Sequence, residues 1–300
     1  MKIIKSLQPC DVDLTKLRYP CLVSPKYDGV KLLHFNENLS GRSFKSFRNK
    51  HLNATFGKPA NSGFEGEVIA GTNPYADDLC RATTSAVNSL DGDPVYTWYI
   101  FDYVTDTTID LPYVERISHL EKLNLPDNIL IVPYHIVNNE EQLLYWENYY
   151  LELGAEGIIT RDPNGKYKQG RATTKSQEIL RLKRFCDAEG VIVELIEGQH
   201  NGNCSSVNEL GGTSRSTHKE NMIPNGMIGS MIIKSLSAGE LDTIGAGKLT
   251  HEERKYYFDN PSDIIGRLAK YKHFPKGVLN KKRFPQFQCF RIPEDMDSAN

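Results

Sequence analysis

The sequence contains no apolar run long enough to span a membrane as a helix, which leaves a soluble globular class. Its six cysteines, Cys10, Cys21, Cys80, Cys186, Cys204 and Cys289, are scattered and never form a Cys-x-x-Cys pair. That argues against a zinc site or a disulfide framework and for a reducing interior. No internal repeat and no low-complexity tract is present. The start, Met1 to Ser6 and soon Asp11 and Asp13, carries no visible signal peptide, so an intracellular protein is expected. Charge of one sign is also lacking: 36 Lys and Arg against 38 Asp and Glu give a net −2. With 39% apolar and 25% charged residues, the 300 residues are enough for two modest domains or one large one.

The balanced total hides local bias. Ile264 to Pro293 holds eight Lys and Arg and no acid, and Arg161 to Arg184 holds eight against two acids. Such stripes are usually solvated faces. Interleaved with Tyr167, Tyr271, Phe274, Phe287 and Phe290, they fit a phosphate-tracking surface better.

Val95 to Val104 is β-branched and aromatic and reads as a buried strand. Leu111 to Leu123 reads as a helix with Pro112 in its first turn. Asn139 to Leu153 reads as a second helix, Asn-capped and followed by Gly154. Gly157–Thr160 and Ile179–Phe185 read as short strands. After 187–190 the character changes. Val191–Ile196, Met227–Leu236 and Arg283–Arg291 are strand-like, and Thr250 to Glu253 is a capping box opening one helix. A mostly-β tail of this kind suggests a small barrel, plausibly of the OB type. The polar stretch from His200 to Asn225 is expected to be disordered or a binding loop.

The chemistry begins at Lys26-Tyr27-Asp28-Gly29. A lysine two residues before an Asp-Gly turn can present an amine to a nucleotide α-phosphate. The plain alternative is a hairpin tip. Four segments downstream, in this order, speak against that alternative: Glu65-Gly66-Glu67, Tyr99 to Asp102, Glu156 to Arg161, and Leu180-Arg181-Leu182-Lys183. Arg181 and Lys183, at i and i+2 on a strand, would share a face. A lysine has a pKa near 10.4 in isolation, so a nucleophilic Lys26 would need it lowered by cations, a metal or desolvation.

With Gly41 to Lys45, Arg48-Asn49, Thr83 to Val87, Gly165 to Arg171, Arg215 to Lys219 and Arg283 to Phe287, the chain resembles the covalent nucleotidyltransferases. More narrowly it resembles the ATP-dependent DNA ligases, those of large algal viruses among them. The resemblance implies an α+β chain: a nucleotidyltransferase (adenylation) domain at 1–188, then an OB-fold β-barrel domain at 189–300 with a latch-like insertion at about 200–225.

It also implies roles. Lys26 is the nucleophile, aided by Arg181 and Lys183. Lys31 and Glu67 meet the ribose, and Phe101 stacks on adenine. Glu156 and Asp28 serve a divalent metal, Mg²⁺ or Mn²⁺. Arg42 grips the nick 5′-phosphate, with Lys45, Arg48, Arg215 and Lys219 also on DNA. Arg283 and Arg291, nominally on one face of a strand if no bulge intervenes, orient the pyrophosphate of ATP. The chain departs from the pattern at Lys31 and Arg181, where the usual residues are Arg and Lys, and at Glu65, where Asp is commoner. Lysine at 31 supplies charge without a bidentate fork.

The expected function is ATP-dependent sealing of nicked duplex DNA by a virus-encoded monomer without membrane association. The alternatives are an RNA ligase, a GTP-using mRNA-capping nucleotidyltransferase, or a catalytically dead nucleic-acid-binding protein. Intact Lys26, Glu67, Glu156 and Lys183 weigh against the last.

Overall fold

The computed structural model describes residues 3, 5–237, 239–278 and 281–291, without the side chains of 275–281. The chain divides into two compact units, Met1–Lys183 with Asn208–Gly212, and Arg184–Val207 with Thr213–Asn300.

The first unit is built on two five-stranded sheets. One orders its strands Cys10–Asp11, Ile179–Leu182, Gly157–Arg161, Cys21–Lys26, His135–Val137; the other Asn38–Ser40, Val30–Phe35, Phe64–Ala70, Tyr96–Tyr103, Ile129–Ile131. The Asp28-Gly29 turn carries the chain from the first sheet to the second. Here the plain hairpin reading fails, because the strands on either side of the turn belong to different sheets. Glycine is required at 29: a Cβ there would collide with the Val68 carbonyl and the Glu67 side chain. Tyr27, between the lysine and the turn, is a core residue 5% exposed, packed on Tyr99 at 4.7 Å and Tyr75 at 5.6 Å.

Helices cover the apolar faces, and their ends agree with the sequence signals. Glu140–Leu153 starts at Asn139, whose side chain accepts the Gln142 N–H, and stops at Gly154 in the left-handed conformation. Tyr113–Glu121 starts one residue later than Pro112, which sits at the cap rather than in the first turn. Trp98, Phe56, Phe64, Leu32 and Ile100 fill the core between the second sheet and the helices.

The second unit closes five strands into a barrel in the order Cys186–Asn201, Met222–Ser235, Leu241–Gly245, Lys281–Phe290, Leu268–Val278. Ile192, Ile228, Met231, Ile233, Ile244, Tyr271 and Phe287 fill it. Thr250 and Glu253 form the capping box that opens the helix His251–Asp259. Among the described residues, no helix is long and apolar enough to cross a membrane.

Three expectations change. The boundary expected at 187–190 falls inside the continuous strand Cys186–Asn201, and the division lies instead between Lys183 and Arg184. The stretch 200–225 is not featureless: Ser205–Val207 pairs with Thr213–Arg215 as a hairpin. Beneath it Asn203, 5% exposed, donates to the carbonyls of Ser216 and His218 at 2.9 Å each, so amide hydrogen bonds replace an apolar core there. Between Arg283 and Arg291 the register with the neighbouring strand shifts twice, so simple alternation does not set their faces. The residues 292–300, and the side chains of Lys276 and Lys281 from the basic stripe, lie outside what is described.

The most buried ion cluster of the first unit joins its parts. Asp102, fully buried, accepts from Arg116 Nε at 2.7 Å and Nη2 at 3.0 Å and from Arg161 Nη1 at 3.3 Å. Arg116 also donates to the carbonyls of Leu111 and Gly165. Burial alone would push the Asp102 carboxyl up, but the two guanidiniums outweigh it and hold it below the ordinary carboxylate value. Asp102→Ala strands two buried cations and is expected to cost about 3–5 kcal/mol in urea unfolding at pH 7. Because the folded pKa is the lower one, this contribution is complete above the ordinary value of 3.8 and lost as pH falls through the folded one. The variant should therefore show a shallower loss of stability below pH 4 than the parent. An equal slope would mean that the cluster does not carry the acid sensitivity.

Candidate active site

The ladder between Cys21–Lys26 and Gly157–Arg161 sets Gly157 opposite Lys26, and the Glu156 N–H donates to the Lys26 carbonyl at 3.0 Å. Two residues 130 apart in sequence are thus locked side by side by backbone alone. Ile179–Leu182 pairs on the far side of Gly157–Arg161 and delivers Lys183. A Cβ at Gly157 would collide with the Leu182 carbonyl, so glycine at that position lets the third strand come close. The outcome is one carboxylate shared by two amines. Glu156 Oε2 lies 2.6 Å from Lys26 Nζ, and Oε1 accepts from Lys183 Nζ.

The second sheet supplies the opposite wall. Lys31 stands across the ladder from Glu67, and Glu67 across from Tyr99. Glu65 pairs with Asp102 but Gly66 with Ile100, so Phe101 is the extra residue of a β-bulge. Phe101 lies on the Tyr99 face of its strand, away from Trp98 and Ile100, and packs beside the cluster of Tyr27, Ile69 and Tyr99. Phe101 is half-buried and lines a cavity of about 190 Å³. Lys26, Lys31, Arg42, Arg161, Arg171 and Arg181 line the same cavity, and among its described lining residues Glu67 is the single carboxylate. Lys31 Nζ is 4.5 Å and the Arg161 guanidinium 5.0 Å from the centre of the Phe101 ring. A larger surface hollow of about 420 Å³ around Asn36, Glu37 and Thr105 shares none of these residues.

The electrostatics differ from the expectation for Lys26. Burial pulls its ammonium pKa down, but Glu156, Glu67 and Asp28 outweigh burial and leave it above the ordinary lysine value. Lys183 goes the other way: burial, then the neighbouring Lys26 charge, lower it. Burial raises the Glu67 carboxyl against the pull of Lys26 and Lys31. Burial would raise Glu156 too, yet Lys26 and Lys183 hold it below the usual range. In the free protein Lys26 is therefore an ion-paired ammonium and not a poised amine.

Of the residues singled out in the sequence, Lys26, Lys31, Glu67, Phe101, Glu156, Arg181, Lys183 and Arg42 converge on this cavity or its immediate border. Asp28 sits near enough to raise the Lys26 pKa. Arg181 also donates to Asp11 at 2.6 Å. Lys45 and Arg48 are exposed and outside the cavity lining. Arg215 and Lys219 lie exposed in the insertion, Arg215 donating to the Asn203 carbonyl. In the second unit, Arg283 lies 5.3 Å from the Phe284 ring centre and Arg291 donates to Glu189 at 2.9 Å. Sequence reasoning passed over Arg161 and Arg171 as individual residues, although both lie in the basic stripe it noticed. It also passed over Tyr167 as a site residue.

Among the described residues no three His, Cys, Asp or Glu side chains form a metal cage. Mg²⁺ usually takes one or two carboxylates and completes its shell with water and substrate phosphate. Glu156 with Asp28 fits that donor set and would not hold the ion alone.

Residues 13–183 match the ATP dependent DNA ligase domain family. A DNA ligase of African swine fever virus (isolate Pig/Kenya/KEN-50/1950) is 26% identical over 106 residues, 34% of this chain and 25% of the relative. A DNA ligase of Methanococcus aeolicus is 27% identical over 169 residues, 48% of this chain and 29% of the relative. The matches thus span less than a third of the length of these curated relatives. The crystal structure of Chlorella virus DNA ligase-adenylate is similar with a TM-score of 0.53 and 26% identity over 96% of this chain and 99% of that one. A structure of a Lig E DNA ligase shares the fold with a TM-score of 0.71 at 17% identity, over 96% and 99% of the two chains.

The reversed pKa order of the two lysines is directly measurable. Competitive labelling of the free protein with an amine-reactive reagent across pH should show Lys26 reacting only at higher pH than Lys183. Glu156→Gln removes the largest influence that raises Lys26 while burial remains, so its labelling curve should move to lower pH. A curve that stays put or moves up would contradict the assigned cause.

Proposed function

Because this chain belongs to the ATP-dependent DNA ligase family, we propose that it seals nicks in duplex DNA, using ATP. The observation that carries this reading is the convergence of Lys26, Glu156 and Lys183 on one contact beside a cavity whose described lining holds six cations, one carboxylate and the Phe101 ring. A polyanion with a flat base and a ribose is the ligand such a lining suits.

The reaction is three displacements at phosphorus. The Lys26 amine, having given up its proton, attacks the α-phosphorus of ATP; the N–P bond forms and pyrophosphate leaves. A 5′-phosphate oxygen of the nick then attacks the same phosphorus, the P–N bond breaks and Lys26 is freed. Finally the 3′-OH attacks the 5′-phosphorus and AMP departs. Arg42, Arg171 and Arg181 are suited to hold phosphate charge while these bonds exchange. Glu67 is suited to accept ribose hydroxyls, and Phe101 to stack on adenine. Glu156 and Asp28 would hold Mg²⁺ or Mn²⁺, which would neutralise phosphate charge. Lys183, which already donates to Glu156 Oε1, is suited to keep that carboxylate balanced when Lys26 turns to the phosphate.

The second unit we read as an OB-fold domain, and the hairpin insertion with Arg215 and Lys219 as a clamp on the DNA. Lys45 and Arg48 add to the phosphate-binding rim around Arg42, and Arg283 and Arg291 are assigned to the pyrophosphate of ATP. The domains on this reading are 1–183 and 184–300, and the protein acts as a monomer.

Incubation with labelled ATP, GTP or NAD and Mg²⁺, and then with nicked DNA, tests the proposal. ATP alone should give a covalent adduct that nicked DNA discharges with sealing. Lys26→Ala should lose the adduct, as should Lys26→Arg, whose guanidinium stays protonated. An adduct of undiminished yield on Lys26→Ala would refute the nucleophile, and one formed from GTP would favour a capping enzyme.

A further inference from the structure

Glu65 is 1% exposed and does not line the cavity. Its two oxygens are both taken. Oε1 accepts from Lys31 Nζ, and Oε2 accepts from the Tyr167 hydroxyl at 2.6 Å. Tyr167, 7% exposed and also outside the cavity lining, accepts the Leu7 N–H on the same hydroxyl at 3.0 Å. Phe35 stands edge-on to its ring at 6.4 Å. Of the three side chains in this chain of contacts, Glu65, Tyr167 and Lys31, it is Lys31 that reaches the cavity, between Phe101 and its cross-strand neighbour Glu67.

We propose that Glu65 and Tyr167 are positioning residues that aim Lys31 at the nucleoside end of the cavity, so that the Lys31–Glu65 pair works as one unit in nucleotide binding. The inference rests on the ligase reading for the identity of the ligand. A carboxylate with both oxygens engaged and no access to the cavity cannot touch a ligand; it can only orient what does. The amine it holds would otherwise sweep many rotamers on a four-carbon stem. Pinning it beside Phe101 places a point charge where a ribose or base edge would lie. The pair also accounts for two oddities of the sequence together. Positions 31 and 65 both depart from the usual Arg and Asp, and they are the two ends of one contact. A base with shorter reach meets an acid one methylene longer.

The test is a double-mutant cycle with Lys31→Arg, Glu65→Asp and the double variant, plus Tyr167→Phe, which removes only the hydroxyl. Two quantities are read: the ATP dependence of adduct formation, and equilibrium ATP binding to each variant in a Lys26→Ala background, where no chemistry occurs. Circular dichroism confirms that each variant is folded. Lys31→Arg lengthens one end of the contact and Glu65→Asp shortens the other, so neither single variant keeps its geometry. Each single variant and Tyr167→Phe should raise the KM and Kd for ATP about tenfold, with the maximal rate changed less than about threefold. The double variant should return to within about threefold of the parent. Single effects that multiply in the double would overturn the pair, and unchanged KM and Kd in Tyr167→Phe would overturn the part given to the tyrosine. If the parent forms no adduct, the ligase reading fails, while the binding cycle still decides the inference. If the Lys26→Ala protein binds no ATP, the nucleoside end is misassigned and the inference falls with it.

Discussion

One carboxylate holds two amines. Glu156, fixed to the Lys26 backbone by its own N–H and to a third strand through Gly157, is where three segments of the first sheet meet. Taking one of the three charges away leaves the others unbalanced in a partly buried place. That constraint dictates much around it: glycine at 157 so that the strands can close, Tyr27 packed into the core so that the lysine cannot drift, and the Asp28-Gly29 turn that ties the cluster to the second sheet. The cations and Phe101 of the opposite wall matter chemically only because Lys26 is held in register with them.

The cluster also raises the question of which amine reacts. Judged by pKa direction, Lys183 gives up its proton more readily, since burial and Lys26 lower it, while Lys26 is raised. Judged by place, Lys26 lines the cavity and Lys183 does not. Geometry outranks resting basicity here, because a nucleophile must reach its phosphorus before its pKa matters.

Lys26, Lys31, Arg42, Glu67, Phe101 and Arg181, all singled out in the sequence, line the cavity, and there is a physical reason. Short motifs such as Lys26 to Gly29 or Glu156 to Arg161 keep their spacing because each sits on a single strand end. What stayed hidden depends on pairing across strands. Phe101 reads as core in an apolar run, and its place at the cavity beside Lys31 and Arg161 is set by strands far from it in sequence. Glu65 and Lys31 lie 34 residues apart, and no local pattern announces that two unusual residues answer each other. Tyr167 lies 102 residues from Glu65. The unit boundary was misplaced by a few residues because Cys186 to Gly190 looks like a linker by composition, yet pairs with His273 to Ala269 in the barrel. The insertion reads from composition as disordered or a binding loop because asparagine amides, which composition counts as loop, make the hydrogen bonds beneath its hairpin.

The most direct measurement is the site of covalent modification. The protein is incubated with ATP and Mg²⁺ and digested, and the peptides are mapped by mass spectrometry. AMP should be found on the peptide that contains Lys26 and nowhere else. AMP on Lys183 would mean that resting basicity, and not position at the cavity, selects the nucleophile; no AMP on either lysine would contradict the ligase chemistry itself.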